Sequence, residues 1–185
     1  MFYSFVFFFI YSFFGVLSQS ANIIEIDISS NWTIQNLNGS IEISNLTIPI
    51  NVHHALEDAS LINNPLYSYN DVELRWIANE PLWTFRKYIN ITQDIFKLVA
   101  NDAVTVQFEF FQLDTIASIY LNDQFLMFTK NQFVKHVIQN FNSKLVNGMN
   151  KLEIQFKSPI MYANELNSLY PYRVYLQINL YQLLN

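Results

Sequence analysis

The residues able to do acid–base, metal or nucleophilic chemistry are few and widely separated along this chain. Its three histidines are His53, His54 and His136, and it contains no cysteine. The sequence has no HExxH, CxxC, GxSxG, GxxxxGK[ST] or GxGxxG pattern, the spacings that mark common zinc, hydrolase and nucleotide sites. We therefore predict no catalytic residue, no metal site and no cofactor in these 185 residues.

The acidic residues are also scattered. Glu57 and Asp58 lie together, Asp71 and Glu73 are two residues apart, and Asp114 follows much later. Two carboxylates about 5–9 Å apart can hydrolyse a glycosidic bond, but the sequence alone does not place any two of these at that distance. The carboxylates therefore support no catalytic assignment.

One stretch concentrates polar and aromatic residues, NDVELRWIANEPLWTFRK at residues 70–87. Its candidate site residues allow two interpretations. In the first, they lie at the rim of a ligand pocket, where aromatic rings stack on a ligand and polar groups donate hydrogen bonds. In the second, which we favour, the tryptophans are large anchors at a domain seam, with the arginine paired to the aspartate or capping backbone carbonyls. The candidate site residues to which both interpretations apply are Asn70, Asp71, Arg75, Trp76 and Trp83.

Composition limits the class of protein. The chain has 51% hydrophobic and 14% charged residues and a formal net charge of −5, which suits one domain with a proper core. An acidic chain offers no electrostatic attraction to nucleic acid or to anionic membranes. We expect neither as a partner of the mature chain.

Period-two alternation of apolar and polar residues dominates the sequence and predicts strands. In VTVQFEFF, for example, Val104, Val106, Phe108 and Phe110 fall on one face. Asn122 and Asp123 in YLNDQF suit a tight hairpin turn, and VNGMN at 146–150 predicts a second turn. The stretch VHHALEDASLI at 52–62 alone has helical spacing, with Val52, Leu56 and Ala59 on one side. We predict an all-β fold, an antiparallel sandwich with one short helical segment.

The N-terminus resembles a secretory signal. FVFFFIYSFFGVL at 5–17 is an apolar run followed by small residues, and it is shorter than the roughly 20 residues that span a bilayer. We predict a signal peptide at 1–20, cleaved after Ser18 or Ser20; an uncleaved membrane anchor is the alternative. Four N-x-Ser/Thr acceptor patterns, at Asn31, Asn38, Asn45 and Asn90, support passage through the secretory pathway, to the lysosome or the extracellular space.

Several motifs, in order, resemble the N-terminal domain of β-mannosidases in glycoside hydrolase family 2. IPINVHHAL at 48–56 is similar to that family's Val-Pro-Gly-x-Val-His-x-x-Leu segment, with Ile50 in place of the usual glycine. FFQLDTIASIYLNDQFL at 110–126 resembles its Leu-Asp-Thr-x-Ala strand and hairpin, with Asp123 in place of glycine, and GMNKLEIQFKSPIMYA at 148–163 resembles its Gly-x-Asn and Ser-Pro-x-x-Tyr-Ala segments. Between them, the family's Pro-Tyr-Tyr, Asn-Asp, Arg-Trp and Trp-Thr-Tyr series is matched by Pro65, Tyr67, Asn70, Asp71, Arg75, Trp76, Trp83, Thr84 and Phe85.

The resemblance implies a galactose-binding-like jelly roll at residues 21–174, with a divergent tail at 175–185. In the complete family enzyme this domain packs on a TIM barrel. The barrel's two glutamates remove terminal β-mannose from β-mannosides, with retention of configuration. These residues include neither the barrel nor the family's Trp-Asp-Trp-Gly segment, so we expect them to be inactive alone. A stand-alone lectin-like module and a non-functional truncation product are the alternatives.

Overall fold

Two antiparallel sheets make up most of the computed structural model, which describes residues 9–15, 23–101 and 104–169. The larger sheet has six strands in the order β4-β3-β5-β10-β7-β8, and the smaller has four in the order β2-β1-β6-β9. The strands are β1 (Phe9–Gly15), β2 (Ile23–Asp27), β3 (Trp32–Asn36), β4 (Glu42–Leu46), β5 (Leu82–Ile91), β6 (Thr105–Phe111), β7 (Ala117–Leu121), β8 (Gln124–Thr129), β9 (His136–Ile138) and β10 (Gly148–Lys157).

The register of the six-stranded sheet explains its core face. Ile34 of β3 lies opposite Phe85 of β5, which lies opposite Ile154 of β10, which lies opposite Ile119 of β7. All four side chains are fully buried, so one row across four strands is removed from water together. Because side chains alternate between faces, this row fixes which residues of each strand point outward.

The smaller sheet supplies the opposing layer of the core. Val106, Phe108 and Phe110 of β6 are buried, as is Val104 just before the strand. The ring of Phe108 stacks on that of Phe141 at 4.7 Å between centroids. The predicted core face of this strand and the all-β sandwich are confirmed.

Helices are more numerous than the single segment we expected. The predicted one is present as α1 (Val52–Asp58), which begins after Asn51, whose side chain accepts a hydrogen bond from the His54 backbone N–H at 2.8 Å. Val52 and Leu56 are buried, whereas Ala59 lies beyond the helix and is exposed. The others are α2 (Asn70–Glu73), α3 (Trp76–Asn79), α4 (Gln93–Ala100), α5 (Pro159–Leu169) and a 3-10 turn (Asn142–Lys144).

The predicted hairpin turn is present, and the second predicted turn is a bend at Asn147 that leads into β10. Asn122 and Asp123 have φ of 50° and 64° and connect the antiparallel strands β7 and β8. Gly148 has φ of 92° at the start of β10, a value that a residue without a side chain adopts without steric cost.

The two chain ends bear on the predicted boundaries. Phe9–Gly15 forms β1, which pairs with β2 on one side and β6 on the other. Residues 16–22, which contain the predicted cleavage sites, and the divergent tail at 175–185 lie outside the described residues. Signal cleavage and the domain boundaries therefore stay predictions. No helix in the described part of the chain is long and apolar enough to cross a bilayer.

Candidate functional site

The candidate residues of 70–83 belong to a surface segment that precedes β5. We call residues 61–80 the seam segment; it contains α2 and α3. Its large apolar side chains face outward to an unusual degree, with Tyr69 80% exposed and Trp76 38% exposed. Leu66, Tyr67 and Val72 are also exposed. These side chains are therefore open to solvent rather than packed in the core.

Buried anchors and hydrogen bonds hold the seam segment on the sandwich. Leu74 and Ile77 are buried in the core. The Trp83 indole N–H donates to the Ile77 carbonyl at 3.0 Å, and the Ser158 hydroxyl donates to the Ala78 carbonyl at 2.7 Å. The Ser158 backbone N–H donates to the Pro81 carbonyl at 3.1 Å. The segment is thus tied to the ends of both central strands, β5 and β10.

The structure assigns different positions to the tryptophans and to Asn70. Trp83 is buried, and its ring centroid lies 6.4 Å from that of the half-exposed Trp76. The side-chain amide of Asn70 donates to the Asn64 carbonyl at 2.8 Å, so it stabilises the turn that leads into α2. These placements suit the structural interpretation of the stretch; substrate contact by any of these residues stays a prediction.

The expected ion pair between Asp71 and Arg75 is not among those formed within the described ranges. The spacing of four residues brings side chains together only on a continuous helix. Here α2 ends at Glu73, and Leu74 adopts φ of −89° and ψ of 6° before α3 begins. The helix break at Leu74 therefore removes the geometry on which that expectation depended.

Next to the seam segment lies an open cleft with a cavity volume of about 100 Å³. We call it the Asp114 cleft. Four separate parts of the chain meet there: the start of α1, the end of the seam segment with the start of β5, the loop before β7, and the junction of β10 with α5. Most of its wall is apolar, and the polar groups that line it are His53, Glu80, Asp114, Thr115, Lys157 and Ser158.

Asp114 is the most perturbed of these groups. Burial raises its pKa to about 6, from an ordinary 3.8. The Thr115 hydroxyl donates to one carboxyl oxygen. With its amide nitrogen turned toward Asp114, Gln132 donates to both oxygens at 2.9 and 3.0 Å; these donors favour the charged form and oppose the effect of burial. The carboxyl is therefore positioned firmly and changes charge in mildly acidic solution.

The other titratable groups of the Asp114 cleft have partners or are held neutral. Burial lowers the pKa of His53, so its imidazole is uncharged near neutral pH. Glu80 accepts a hydrogen bond from the Leu37 backbone N–H at 3.1 Å. The Lys157 ammonium binds both oxygens of Glu165, at 2.6 and 2.7 Å. The cleft therefore offers several positioned hydrogen-bonding groups to a ligand.

A metal role has no support in the described residues, because no group of three His, Cys, Asp or Glu side chains converges within them. His53, Asp114 and Lys157 are not among the site residues predicted from the sequence. A signal was nevertheless present, since each lies in one of the separate motifs that carried the family resemblance. The fold brings those motifs, and Trp83 with them, to one place.

The family model described as the glycosyl hydrolase 2 galactose-binding domain-like family matches residues 32–182. The chain belongs to this family. Its relatives include the β-mannosidase of Capra hircus, 30% identical over 146 residues, which cover 79% of this chain and 16% of the goat protein. The β-mannosidase of Mus musculus is 32% identical over 136 residues, which cover 74% of this chain and 14% of the mouse protein.

A solved structure gives the same result for the fold of the glycosyl hydrolase 2 domain. The β-D-mannosidase of Dictyoglomus thermophilum superposes with a TM-score of 0.72 at 26% identity, covering 81% of this chain and 18% of the bacterial one. The chain thus spans about 16% of the goat relative. The resemblance read from the ordered motifs is confirmed.

Proposed function

We propose that these residues form the N-terminal domain of a β-mannosidase, an enzyme that removes terminal β-mannose from the non-reducing ends of β-mannosides. The observation that carries the proposal is the meeting of four family motifs at the Asp114 cleft, beside an exposed apolar surface. The family model covers residues 32–182, a region that contains this cleft.

The domain's part in the enzyme is to pack against a catalytic barrel rather than to do chemistry. The helices α3 and α5 pack on each other. Beside the exposed aromatics of the seam segment, α5 adds Ile160, Met161 and Leu169, all exposed. Exposed apolar side chains on elements that pack together support docking of a further domain. Asn70, Asp71, Arg75 and Trp76 would then lie at the edge of the interface, near the sugar pocket of the complete enzyme.

A hydrolysis assay tests the assignment of catalysis to other residues. The purified 185-residue chain is expected to release no mannose from an aryl β-mannoside. Release above the buffer background would contradict the proposal. In that case Asp114→Asn and Glu80→Gln are the first variants to assay, because these two carboxyls line the same cleft.

Sequencing of the transcript tests whether it encodes the complete enzyme. Long reads across the codon for Val174 are expected to continue in frame into a Trp-Asp-Trp-Gly segment and a barrel-coding region. Reads that all end after the codon for Asn185 would overturn the proposal. A truncation product would then also predict that the chain aggregates through its uncovered apolar surface.

We place the protein in the secretory pathway, in the lysosome or outside the cell. The four sequon asparagines, Asn31, Asn38, Asn45 and Asn90, are all exposed, which supports this location because a glycan needs room outside the fold. Mass spectrometry of the protein from a eukaryotic host is expected to find glycans on them. A fully unmodified chain would contradict it.

A lectin-like module that acts alone is the second candidate, favoured by the polar groups of the Asp114 cleft. Calorimetric titration of the chain with mannose and mannobiose separates the two functions. Saturable binding that Asp114→Asn abolishes, without hydrolysis, supports the lectin-like function. Absence of binding to either sugar contradicts the lectin-like function, and the β-mannosidase domain is then the remaining candidate of the two.

A further inference from the structure

Strand β5 carries one of the sequons on its outer face. Its inner residues Ile89 and Ile91 pack in or against the core, so the alternating residues Tyr88 and Asn90 point to the opposite face. Both are exposed. Residues two apart on one face of a strand stand about 6.5–7 Å from each other, and the Tyr88 ring therefore lies next to the Asn90 amide.

A second exposed apolar side chain borders the same asparagine. Met149 of β10 lies directly opposite Asn90 in the antiparallel register, and Lys151 lies opposite Tyr88. Directly opposed side chains have Cβ atoms about 4.5–5.5 Å apart. Tyr88 is 53% exposed and Met149 is 59% exposed, so Asn90 is flanked on two sides by large apolar groups open to solvent.

These two side chains have no other evident role in the described structure. They do not line the Asp114 cleft and are not part of the seam segment. The Lys151 ammonium is held by Asp123 at 2.5 Å and by Glu153 at 3.2 Å. Apolar side chains that are exposed around a glycan attachment point can be covered by an amphipathic group, which packs its apolar face on them and keeps its polar atoms in water.

We propose that Tyr88 and Met149 seat the first sugar of a glycan attached to Asn90. The inference rests on the secretory location proposed above. The host transferase joins the Asn90 amide nitrogen to the anomeric carbon of N-acetylglucosamine, with loss of an amide proton and departure of the lipid-linked pyrophosphate. The flat C–H face of the pyranose then lies on the Tyr88 ring, and the acetyl methyl group lies against Met149.

The other sequons lack this arrangement. Two residues before Asn31, Asn38 and Asn45 stand Ser29, Asn36 and Ile43, and none of these is aromatic. The glycans on Asn38 and Asn45 serve as internal controls. Asn31 is not used as a control, because the β3–β5 register continued past Thr33 places it near Tyr88.

A double-mutant cycle in a glycosylating host tests whether the Asn90-linked sugar packs on Tyr88. The full chain is compared with Tyr88→Thr, Asn90→Gln and the double variant, after endoglycosidase trimming to one sugar per site. We expect Tyr88→Thr to lower Tm by about 2–4 °C more in the glycosylated background than in Asn90→Gln. Phe125→Thr is the matched control, because this exposed aromatic lies on the distant strand β8; its effect should be equal in both backgrounds.

Proton NMR of the trimmed protein gives a second readout that does not depend on stability. Ring-current shielding by Tyr88 is expected to move the acetyl methyl signal of the Asn90-linked sugar upfield, and Tyr88→Thr should restore it. Equal Tm losses in both backgrounds, or an unshifted methyl signal, would overturn the seat. An unmodified Asn90 beside modified Asn31, Asn38 and Asn45 overturns it while leaving the secretory location intact; no glycan at any sequon removes both.

Discussion

The indole nitrogen of Trp83 donates a hydrogen bond of 3.0 Å to the carbonyl oxygen of Ile77, the buried residue of α3. One side chain thereby links the first residues of β5 to the last helical turn of the seam segment. Because Trp83 also lines the Asp114 cleft, the same bond sets the position of the cleft wall.

Replacement of Trp83 by Phe tests this link. The change removes the donor, leaves the Ile77 carbonyl without it, and creates a small void. We expect a loss of about 1–3 kcal/mol in the free energy of unfolding. Urea denaturation followed by fluorescence measures it. Trp76→Phe is the matched control, since Trp76 is 38% exposed and should cost clearly less; equal losses would contradict an anchoring role for Trp83.

The stability of the domain should depend on pH through Asp114. Burial raises the pKa of this carboxyl to about 6, above the 3.8 of an exposed aspartate. Between these values the folded state holds a proton that the unfolded state has released. The free energy of unfolding therefore falls as pH rises from about 4 to about 6. The limit from the shift is about 3 kcal/mol, and partial burial reduces the expected change to about 1–2 kcal/mol.

The charged neighbours of Asp114 require a matched comparison. His53, Glu80 and Lys157 line the same cleft. Burial lowers the pKa of His53, so its contribution runs the other way and is lost as pH falls below its ordinary value of about 6.5. Urea denaturation at about pH 4.5 and about pH 7 measures the change in the free energy of unfolding between the two pH values. The part of this change due to Asp114 should disappear in Asp114→Asn. It should persist in Asp123→Asn, whose carboxylate is exposed. The same pH dependence in both variants would show that Asp114 is not its source.

Local patterning was sufficient to predict β6 and the β7–β8 hairpin, whereas β1 (Phe9–Gly15) lies in the run that was predicted to be a signal peptide. The alternation at Val104–Phe110 gave the buried face of β6, and the dipeptide Asn122-Asp123 gave the hairpin. Both depend on neighbours within a few residues, so the sequence contains the needed information. The helices α2 and α3 were missed because four residues each are too few to show a helical period; α4, of eight residues, and α5, of eleven, were missed as well.

The Asp114 cleft could not be located by the same means. Its polar groups come from positions as distant as His53 and Lys157, and only the pairing register of β5, β7 and β10 brings them together. The spacing of Asp71 and Arg75 misled for a related reason. A separation of four residues implies contact only where the helix continues, and the break at Leu74 depends on tertiary packing of that buried leucine.

A carboxylate shared by two cations stabilises the outer face of the larger sheet. Glu153 accepts a hydrogen bond from the Arg86 Nε at 2.9 Å and lies 3.2 Å from the Lys151 ammonium. Only 9% of its side chain is exposed. Glu153→Gln removes the anion that pairs with Arg86, while Lys151 keeps its contact with Asp123. We expect a loss of about 1–3 kcal/mol in urea denaturation.

An exposed pair provides the control for Glu153. Glu165 binds Lys157, but its side chain is 54% exposed, so Glu165→Gln should cost about 0–1 kcal/mol. High salt should reduce the small effect at Glu165 more than the effect at Glu153, because screening acts mainly on exposed charges. A Glu153→Gln loss no larger than that of Glu165→Gln would contradict the role given to burial.

Signal cleavage has a structural consequence for the smaller sheet. The strand β1 is antiparallel to both β2 and β6, so β2 and β6 run parallel to each other with β1 between them. A chain cleaved after Ser18 or Ser20 lacks β1, and the β6 amides that bond to it lose those partners.

We expect the secreted chain to begin at Gln19 or Ala21 by N-terminal sequencing. In hydrogen exchange, β6 should then be less protected than β10, which pairs with β5 and β7. A secreted chain that begins at Met1, with β6 and β10 equally protected, would show instead that β1 is a permanent strand of the mature domain.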